Sequence, residues 1–348
     1  MVLTTGGTIS STASPATSPE AFSGVQPSLR GYDLLSSLPT HHPARQTLTT
    51  VAIDVVDVYQ KDSSQLQPPD IDAVTVAVAE ALRGGASGIV LLHGTDTMES
   101  MALWLQLVCP LDNYRCPLAV TGAAFAADST TPDGPQNLAD ALWLVSQDET
   151  AAAVHIVFGG HVLPAWGLVK VATDRRDAFA SVTAAAALTP PPLAGVSLPL
   201  DPTPLLAANT PLVHIVTCDF GDDGSLLRYA ATPSPTNPVR GVVVEALGSG
   251  NLPVAVAQTL YELRDAYPDV AVVVTTRVPL GTVEAVYGCP GGGAEMAAAG
   301  IPLSPHLRAP QCRIVMLALL QAGYTAAEVE EAFGASAQPS ERHFRAGR

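Results

Sequence analysis

Basic side chains are in short supply in this chain: 17 Lys and Arg stand against 32 Asp and Glu, a formal net charge of −15. That balance argues against nucleic acid and anionic membrane as partners, because both reward clustered Lys and Arg. Lysine is the scarcer cation, present only as Lys61 and Lys170. Charged residues are only 14% of the 348, but 47% are hydrophobic, so disorder is not the default and two domains can each fill a core. Cysteine offers no framework. Cys109, Cys116, Cys218, Cys289 and Cys312 are odd in number and scattered, with no CxxC pair and no Cys/His spacing suited to zinc. The closeness of Cys109 to Cys116 leaves a disulfide open, yet unpaired, mostly buried thiols in a reducing compartment are the expectation. No uninterrupted apolar stretch approaches the ~20 residues of a membrane-crossing helix. The first glycine turn arrives within a few residues of Met1, leaving no room for a signal peptide. A soluble, cytoplasmic protein is expected.

What is present is a regular alternation of strand-like and helix-like patterns. Met1 to Leu3 and Gly88 to Leu92 are apolar runs of the kind buried parallel strands show, and valine-rich Thr50 to Tyr59 also reads as a strand. Asp70 to Arg83 has helical apolar spacing, an acidic start and Gly84-Gly85 as its stop. Helix at Thr97 to Val108, strand at Pro117 to Val120, helix at Gln136 to Ser146 and strand at Ala152 to Phe158 continue the rhythm. This pattern predicts an α/β domain over 1–187 with a mainly parallel sheet and helices on both faces. Residues 188–211 are dense in proline and nearly uncharged, and read as an extended linker. A smaller α/β domain over 212–348 follows. Its strands are expected at Leu212 to Thr217, Gly241 to Ala246 and Val270 to Thr275. Its helices are expected at Val254 to Ala266, Arg313 to Gln321 and Thr325 to Phe333.

Three separated segments set threonines or acids beside glycine: Thr4-Thr5-Gly6-Gly7-Thr8-Ile9, His93-Gly94-Thr95-Asp96-Thr97-Met98-Glu99-Ser100 and Asp133-Gly134-Pro135-Gln136-Asn137-Leu138. The first two directly follow predicted strands, and the carboxyl ends of strands are where ligands sit in open α/β sheets. A threonine hydroxyl is a poor nucleophile near neutral pH without a neighbouring base and a means of stabilising an oxyanion. Thr8 and Thr95 supply two hydroxyls and Asp96 a carboxylate. Lys170, in apolar Gly167-Leu168-Val169-Lys170-Val171, would have its charged form disfavoured and could act as a base. Each feature alone has a plain structural reading. The first is an ordinary turn, the second a helix N-cap, Lys170 a surface residue at a strand end, and Asp133-Gly134-Pro135 a turn before a helix. Those readings do not account for all four in one chain in this order.

These residues resemble the signature segments of the bacterial-type L-asparaginases, the asparaginase/glutaminase amidohydrolases. The resemblance also takes in Asp62-Ser63-Ser64, the run from Phe158 to Ala165, Val169-Lys170-Val171, the run from Val244 to Asn251 and Gln311-Cys312-Arg313-Ile314, and so covers nearly the whole chain. It implies a large N-terminal doubly wound, mainly parallel sheet domain with a smaller C-terminal α/β domain, hydrolysing the side-chain amide of L-asparagine to L-aspartate and ammonia. Thr8 matches the nucleophile on a flexible N-terminal turn; Thr95, Asp96 and Lys170 match the second hydroxyl and its proton-relay partners. Ser63 and Ser64 fall at substrate-contacting positions, Ser63 at the α-carboxylate and Asp96 at the α-ammonium. Gly94, Thr95 and Ala123 complete the substrate site, with amides near Thr95 and Ala123 as the oxyanion hole. The resemblance further implies no metal or organic cofactor, a small amino-acid amide as substrate, and a homodimer or homotetramer with active sites between subunits. Ser249 and Asn251 lie in the segment expected to reach across that interface.

Two departures stand out. Residues 11–29 lack the tyrosine that the family usually carries after its first turn; Phe22 cannot donate a hydrogen bond, Ser23 could replace it, and Tyr32 falls on the following helix. The run from Gly122 to Ala127 (GAAFAA) lacks the methionine, arginine and proline that the family tends to have after Gly-Ala. Two other functions stay in play: a non-catalytic asparagine- or aspartate-binding sensor, and a glutaminase or transamidation-type amidase delivering ammonia to tRNA-bound glutamate.

Overall fold

The computed structural model describes residues 1–14, 24–182, 206 and 210–334. Nearly all of the proline-rich stretch 188–211, and both Phe22 and Ser23, lie outside the described residues. The described chain falls into two compact units, one up to Thr210 and the other from Pro211 onward.

The first unit contains strands β1 (Val2–Gly6), β2 (Ser11–Ser14), β3 (Gly24–Pro27), β4 (Val55–Lys61), β5 (Ile89–Leu92), β6 (Leu118–Thr121), β7 (Val154–Phe158), β8 (His161–Pro164), β9 (Leu168–Lys170) and β10 (Phe179–Ser181). Its helices are α1 (Gly31–Ser36), α2 (Ala44–Thr50), α3 (Pro68–Arg83), α4 (Met98–Val108), α5 (Leu111–Tyr114) and α6 (Gly134–Val145). Six strands form one sheet in the order β4-β1-β5-β6-β7-β8, parallel except for the β7–β8 hairpin. The runs of β1, β5 and β6 are buried on both faces, which is why they read as continuous rather than alternating apolar segments. Val2, Val90, Leu92, Ala119 and Val157 share a core with Leu34 and Leu35 of α1 and Leu138 and Leu142 of α6. The alternate positions Leu3, Leu91, Val120 and Ile156 are equally buried. On α3 and α4, Trp104 Nε1 donates to Thr75 Oγ1 at 2.9 Å, the one polar atom of that large buried ring thereby satisfied.

The helices and parallel strands that the sequence predicts fall close to their places, whereas Ala44–Thr50, Leu111–Tyr114, Ser225–Ala231 and Gly293–Ala298 are helices without a predicted counterpart. The exception is Thr50 to Tyr59: Ala44–Thr50 is helical and the strand begins only at Val55. Of the predicted strand only Thr50 is helical, and the four residues after it belong to neither helix nor strand. The antiparallel pairs β7–β8, β9–β10 and β2–β3 were not anticipated. For β7–β8 a signal existed, since Gly159-Gly160 takes up φ of 58° and 79° between two apolar runs, the geometry of a tight hairpin turn. All five cysteines are free, so Cys109 and Cys116 are buried thiols rather than a disulfide.

The second unit has three parallel strands, β11 (Leu212–Thr217), β12 (Val239–Ala246) and β13 (Ala271–Thr276), in that order. Its helices are α7 (Ser225–Ala231), α8 (Val254–Ala266), α9 (Gly293–Ala298), α10 (Ala309–Gln321) and α11 (Ala326–Gly334). Val242 and Val244 of β12, Val272 and Val274 of β13, and Leu260 of α8 form its core. No helix among the described residues is long and apolar enough to cross a membrane.

Candidate active site

The carboxyl ends of β1, β5 and β6 come together because their turns can touch. After β1, Gly7 has a φ of 79°, which a side chain would strain, and a Cβ there would lie 2.5 Å from the Gly94 Cα. A Cβ on Gly94 would in turn lie 2.5 Å from Ser63 Oγ. The two glycines therefore stack the turn bearing Thr8, the turn bearing Thr95 and the turn bearing Ser63 in van der Waals contact.

Thr8 opens a 3-10 turn over Thr8–Ser10 and its side chain is half-buried. The turn is held at both ends. Gly7 N–H donates to Lys61 O at 3.1 Å, and the Gly7 carbonyl accepts from Ser10 Oγ at 3.0 Å and Ser11 Oγ at 2.9 Å.

Thr95 and Asp96 sit between β5 and α4, the helix whose N-cap position is Thr97. Lys170, the last residue of β9, brings its ammonium to them across 75 residues of sequence: Nζ donates to Thr95 Oγ1 at 3.0 Å and to Asp96 Oδ1 at 2.9 Å. Asp96 is 60% exposed, so the pair is screened and worth at most ~1 kcal/mol to stability; it positions groups rather than holding the fold. Lys170 is not the apolar-enclosed amine expected from Gly167-Leu168-Val169, because its side chain ends against a carboxylate. Lys61, the alternative, pairs instead with Asp70 at 2.6 Å.

Ser63 is buried, and its Oγ accepts the Asp96 N–H at 3.2 Å, which leaves the Ser63 proton for another acceptor. Ser64 beside it is exposed. Ala123 is 1% exposed at the end of β6. The next two amides, Ala124 N–H and Phe125 N–H, donate at 2.9 Å to the two separate oxygens of buried Asp133. Asn137 ties the same loop down, donating to Gly122 O at 3.0 Å and accepting the Gly159 N–H at 3.1 Å. Arg176 lies 5.5 Å over the Phe125 ring of this loop and donates to Thr131 O at 2.6 Å.

Several further residues of the quoted motifs build the site's surroundings. Asp133 does precede a helix that Gly134 and Pro135 open, and Asn137 lies in its first turn; both also anchor the loop after β6. Glu99, in the first turn of α4, accepts the Lys170 backbone N–H at 2.7 Å; burial raises its pKa, against the opposing pull of Lys170. His93 is enclosed under the same turn, and burial lowers its pKa to about 4, so its ring is neutral near pH 7. An amphoteric side chain beneath a hydroxyl-bearing turn was a signal available in the motif itself. No group of three or more His, Cys, Asp or Glu suited to a metal occurs among the described residues.

Hydroxyls, an amine and a carboxylate on the carboxyl edge of a parallel sheet define a hydrolytic enzyme of the open-sheet α/β class. Comparison with known proteins is more specific. Residues 1–190 match the family model "Asparaginase, N-terminal" and residues 212–333 match "Glutaminase/Asparaginase C-terminal domain". A probable L-asparaginase of Deinococcus radiodurans is 30% identical over 336 residues, covering 94% of this chain and 95% of that protein. A glutamyl-tRNA(Gln) amidotransferase component of Methanococcus maripaludis is 26% identical over 358 residues, covering 95% of this chain and 77% of that protein. In fold, the chain superposes on the crystal structure of a probable cytoplasmic L-asparaginase from Campylobacter jejuni with a TM-score of 0.73, at 22% identity, covering 95% of this chain and 98% of that one. The chain belongs to the asparaginase family, and is an amidohydrolase.

Proposed function

We propose that the chain hydrolyses the side-chain amide of L-asparagine, with Thr8 as nucleophile, an acyl-enzyme intermediate, and Thr95, Asp96 and Lys170 as the set that moves the proton. The observation that carries this reading is the Lys170 ammonium lying 3.0 Å from Thr95 Oγ1 and 2.9 Å from Asp96 Oδ1, beside the turn that presents Thr8. Asparagine offers a carboxylate and an ammonium as two handles. Ser63 would take the first, with Ser64 at another substrate-contacting position, and the exposed Asp96 carboxylate the second, so that the amide is oriented before attack. Backbone amides near Gly94, Thr95 and Ala123 would receive the oxyanion. Once ammonia has left, water hydrolyses the acyl-enzyme and Thr8 is regenerated, with no cofactor in the scheme. Residues 1–187 are the catalytic domain in this reading, and a homodimer or homotetramer in the cytoplasm is the working form.

The test is ammonia release from asparagine, glutamine and their D-isomers by the purified protein and by Thr8→Val and Thr95→Val. A loss of about 100-fold or more in kcat is expected for each, as for removal of a covalent nucleophile or its activating partner. Activity that survives both substitutions refutes the assignment. The similarity to an amidotransferase component supports a second reading, ammonia delivery to tRNA-bound glutamate. Amidase activity that appears only with charged tRNA and a second protein chain would favour it.

A further inference from the structure

His93 is 1% exposed, and both of its ring nitrogens meet threonine hydroxyls from different elements. Each hydroxyl has one proton and both a ring nitrogen and a carbonyl in reach, and the shorter carbonyl contact, 2.9 Å from Thr5 to Leu92 O against 3.3 Å from Thr97 to Ser63 O, selects the tautomer. Thr5 Oγ1 has one proton and donates it to Leu92 O at 2.9 Å. The Thr5 oxygen then accepts at its 3.0 Å contact with His93 Nδ1, the nitrogen to which this geometry assigns the ring hydrogen. In a neutral imidazole Nε2 is then bare, and it accepts from Thr97 Oγ1 at 3.2 Å. With its proton on Nε2, Thr97 Oγ1 cannot also donate to the Ser63 carbonyl oxygen 3.3 Å away, so that longer contact is the one given up. The path thus runs from β1, three residues before Thr8, through the end of β5, to the N-cap of α4 next to Asp96.

We propose that His93 is a positioning residue, whose Nδ1–H ring locks the turn bearing Thr8 to the turn bearing Thr95 and Asp96 and thereby sets the spacing of the two hydroxyls across the reaction centre. The proposal rests on the asparaginase reading of that centre for its kinetic consequence, but not for the hydrogen positions. A rigid ring that donates on one side and accepts on the other fixes both distance and direction. A hydrocarbon of the same shape would fill the space and fix neither. Misplacing a reacting group by about 1 Å can cost on the order of 100-fold in rate, so partial loosening of this link is expected to act on kcat.

The test has two arms. In the first, kcat and KM are measured for Thr5→Val, Thr97→Val, their serine counterparts and the double valine variant, each well below its own Tm. Each valine variant should lose about tenfold in kcat with KM moved by less than about threefold, and each serine variant, which keeps the hydroxyl, should stay within about threefold of the parent. Because both substitutions break one bridge, the double variant should lose no more than about the worse single one. Additive losses, or a lowered Tm with kcat unchanged, overturn the proposal. In the second arm, the wild-type protein labelled with 15N-histidine is examined by NMR without substrate, the His93 signals being assigned by their displacement in Thr97→Val. Nδ1 protonated and Nε2 bare is the expected result, and the opposite tautomer overturns it. This arm decides the ring's role as a bridge even if no amide is hydrolysed, so its failure is distinct from failure of the asparaginase reading.

Discussion

Replacing Asp133 tests whether the loop after β6 is built by one carboxylate. Its two oxygens separately receive Ala124 N–H and Phe125 N–H, each at 2.9 Å, and Asn137 Nδ2 adds a third donor at 3.2 Å. The carboxylate is 2% exposed. Asp133→Asn keeps one acceptor oxygen and turns the other into a donor, so one of the two amides loses its partner and faces an N–H group. A hydrogen bond to a charged group contributes about 1.5–3 kcal/mol, and a buried donor left unpaired costs about 1–3 kcal/mol. Ala124 and Phe125 are only half-buried, so water recovers part of this. A net loss of about 3 kcal/mol is expected, which for a unit of this size lowers Tm by about 6–12 °C. Activity should fall further than stability implies, by about tenfold or more at a temperature where the variant is folded, because Ala123 directly precedes the released amides. Calorimetry and ammonia release at 20–25 °C below Tm (roughly, to keep the folded state dominant) read the two effects separately. Asp133→Asn with unchanged Tm and unchanged kcat would refute the account of the loop.

Gly94→Ala would place a methyl 2.5 Å from Ser63 Oγ and 2.7 Å from its Cβ, pushing Ser63 away; KM for asparagine should rise by about tenfold, a larger change than in kcat. An unchanged KM would separate Ser63 from the substrate. His93 makes the first unit acid-sensitive: its folded pKa of about 4 lies below the unfolded value near 6.5, so the unfolded chain binds the extra proton. Its contribution is complete above about pH 6.5 and is lost as pH falls toward 4, by about 3 kcal/mol. Urea unfolding at a series of pH values should show that much less acid sensitivity in His93→Gln than in the parent. A thiol reagent should titrate Cys289 alone in the native protein and all five cysteines in denaturant; the buried Cys109 and Cys218 are further shielded by thiol pKa values pushed up to about 12. More than one fast-reacting native thiol would contradict the burial of the others.

The sequence by itself determined the element types, the parallel character of the main sheet and the residue classes at its carboxyl edge. These are local properties: apolar runs, glycine stops and hydroxyl-bearing turns are written over a few consecutive positions. α8 falls at its predicted bounds for that reason, while the helix Ala44–Thr50, which packs against α6, was not legible. Motifs also carried the candidates Thr8, Thr95, Asp96 and Lys170, though not their arrangement. Only the tertiary structure decided that Lys170 rather than Lys61 meets Thr95, that Asp133 builds a loop, and that His93 bridges two turns. Each of those contacts depends on strand order β4-β1-β5-β6 and on where β9 returns, which bring together residues as far apart as 75 positions. Hydrogen-bond geometry is decided within tenths of an ångström, and no periodicity in the sequence encodes a distance of that kind.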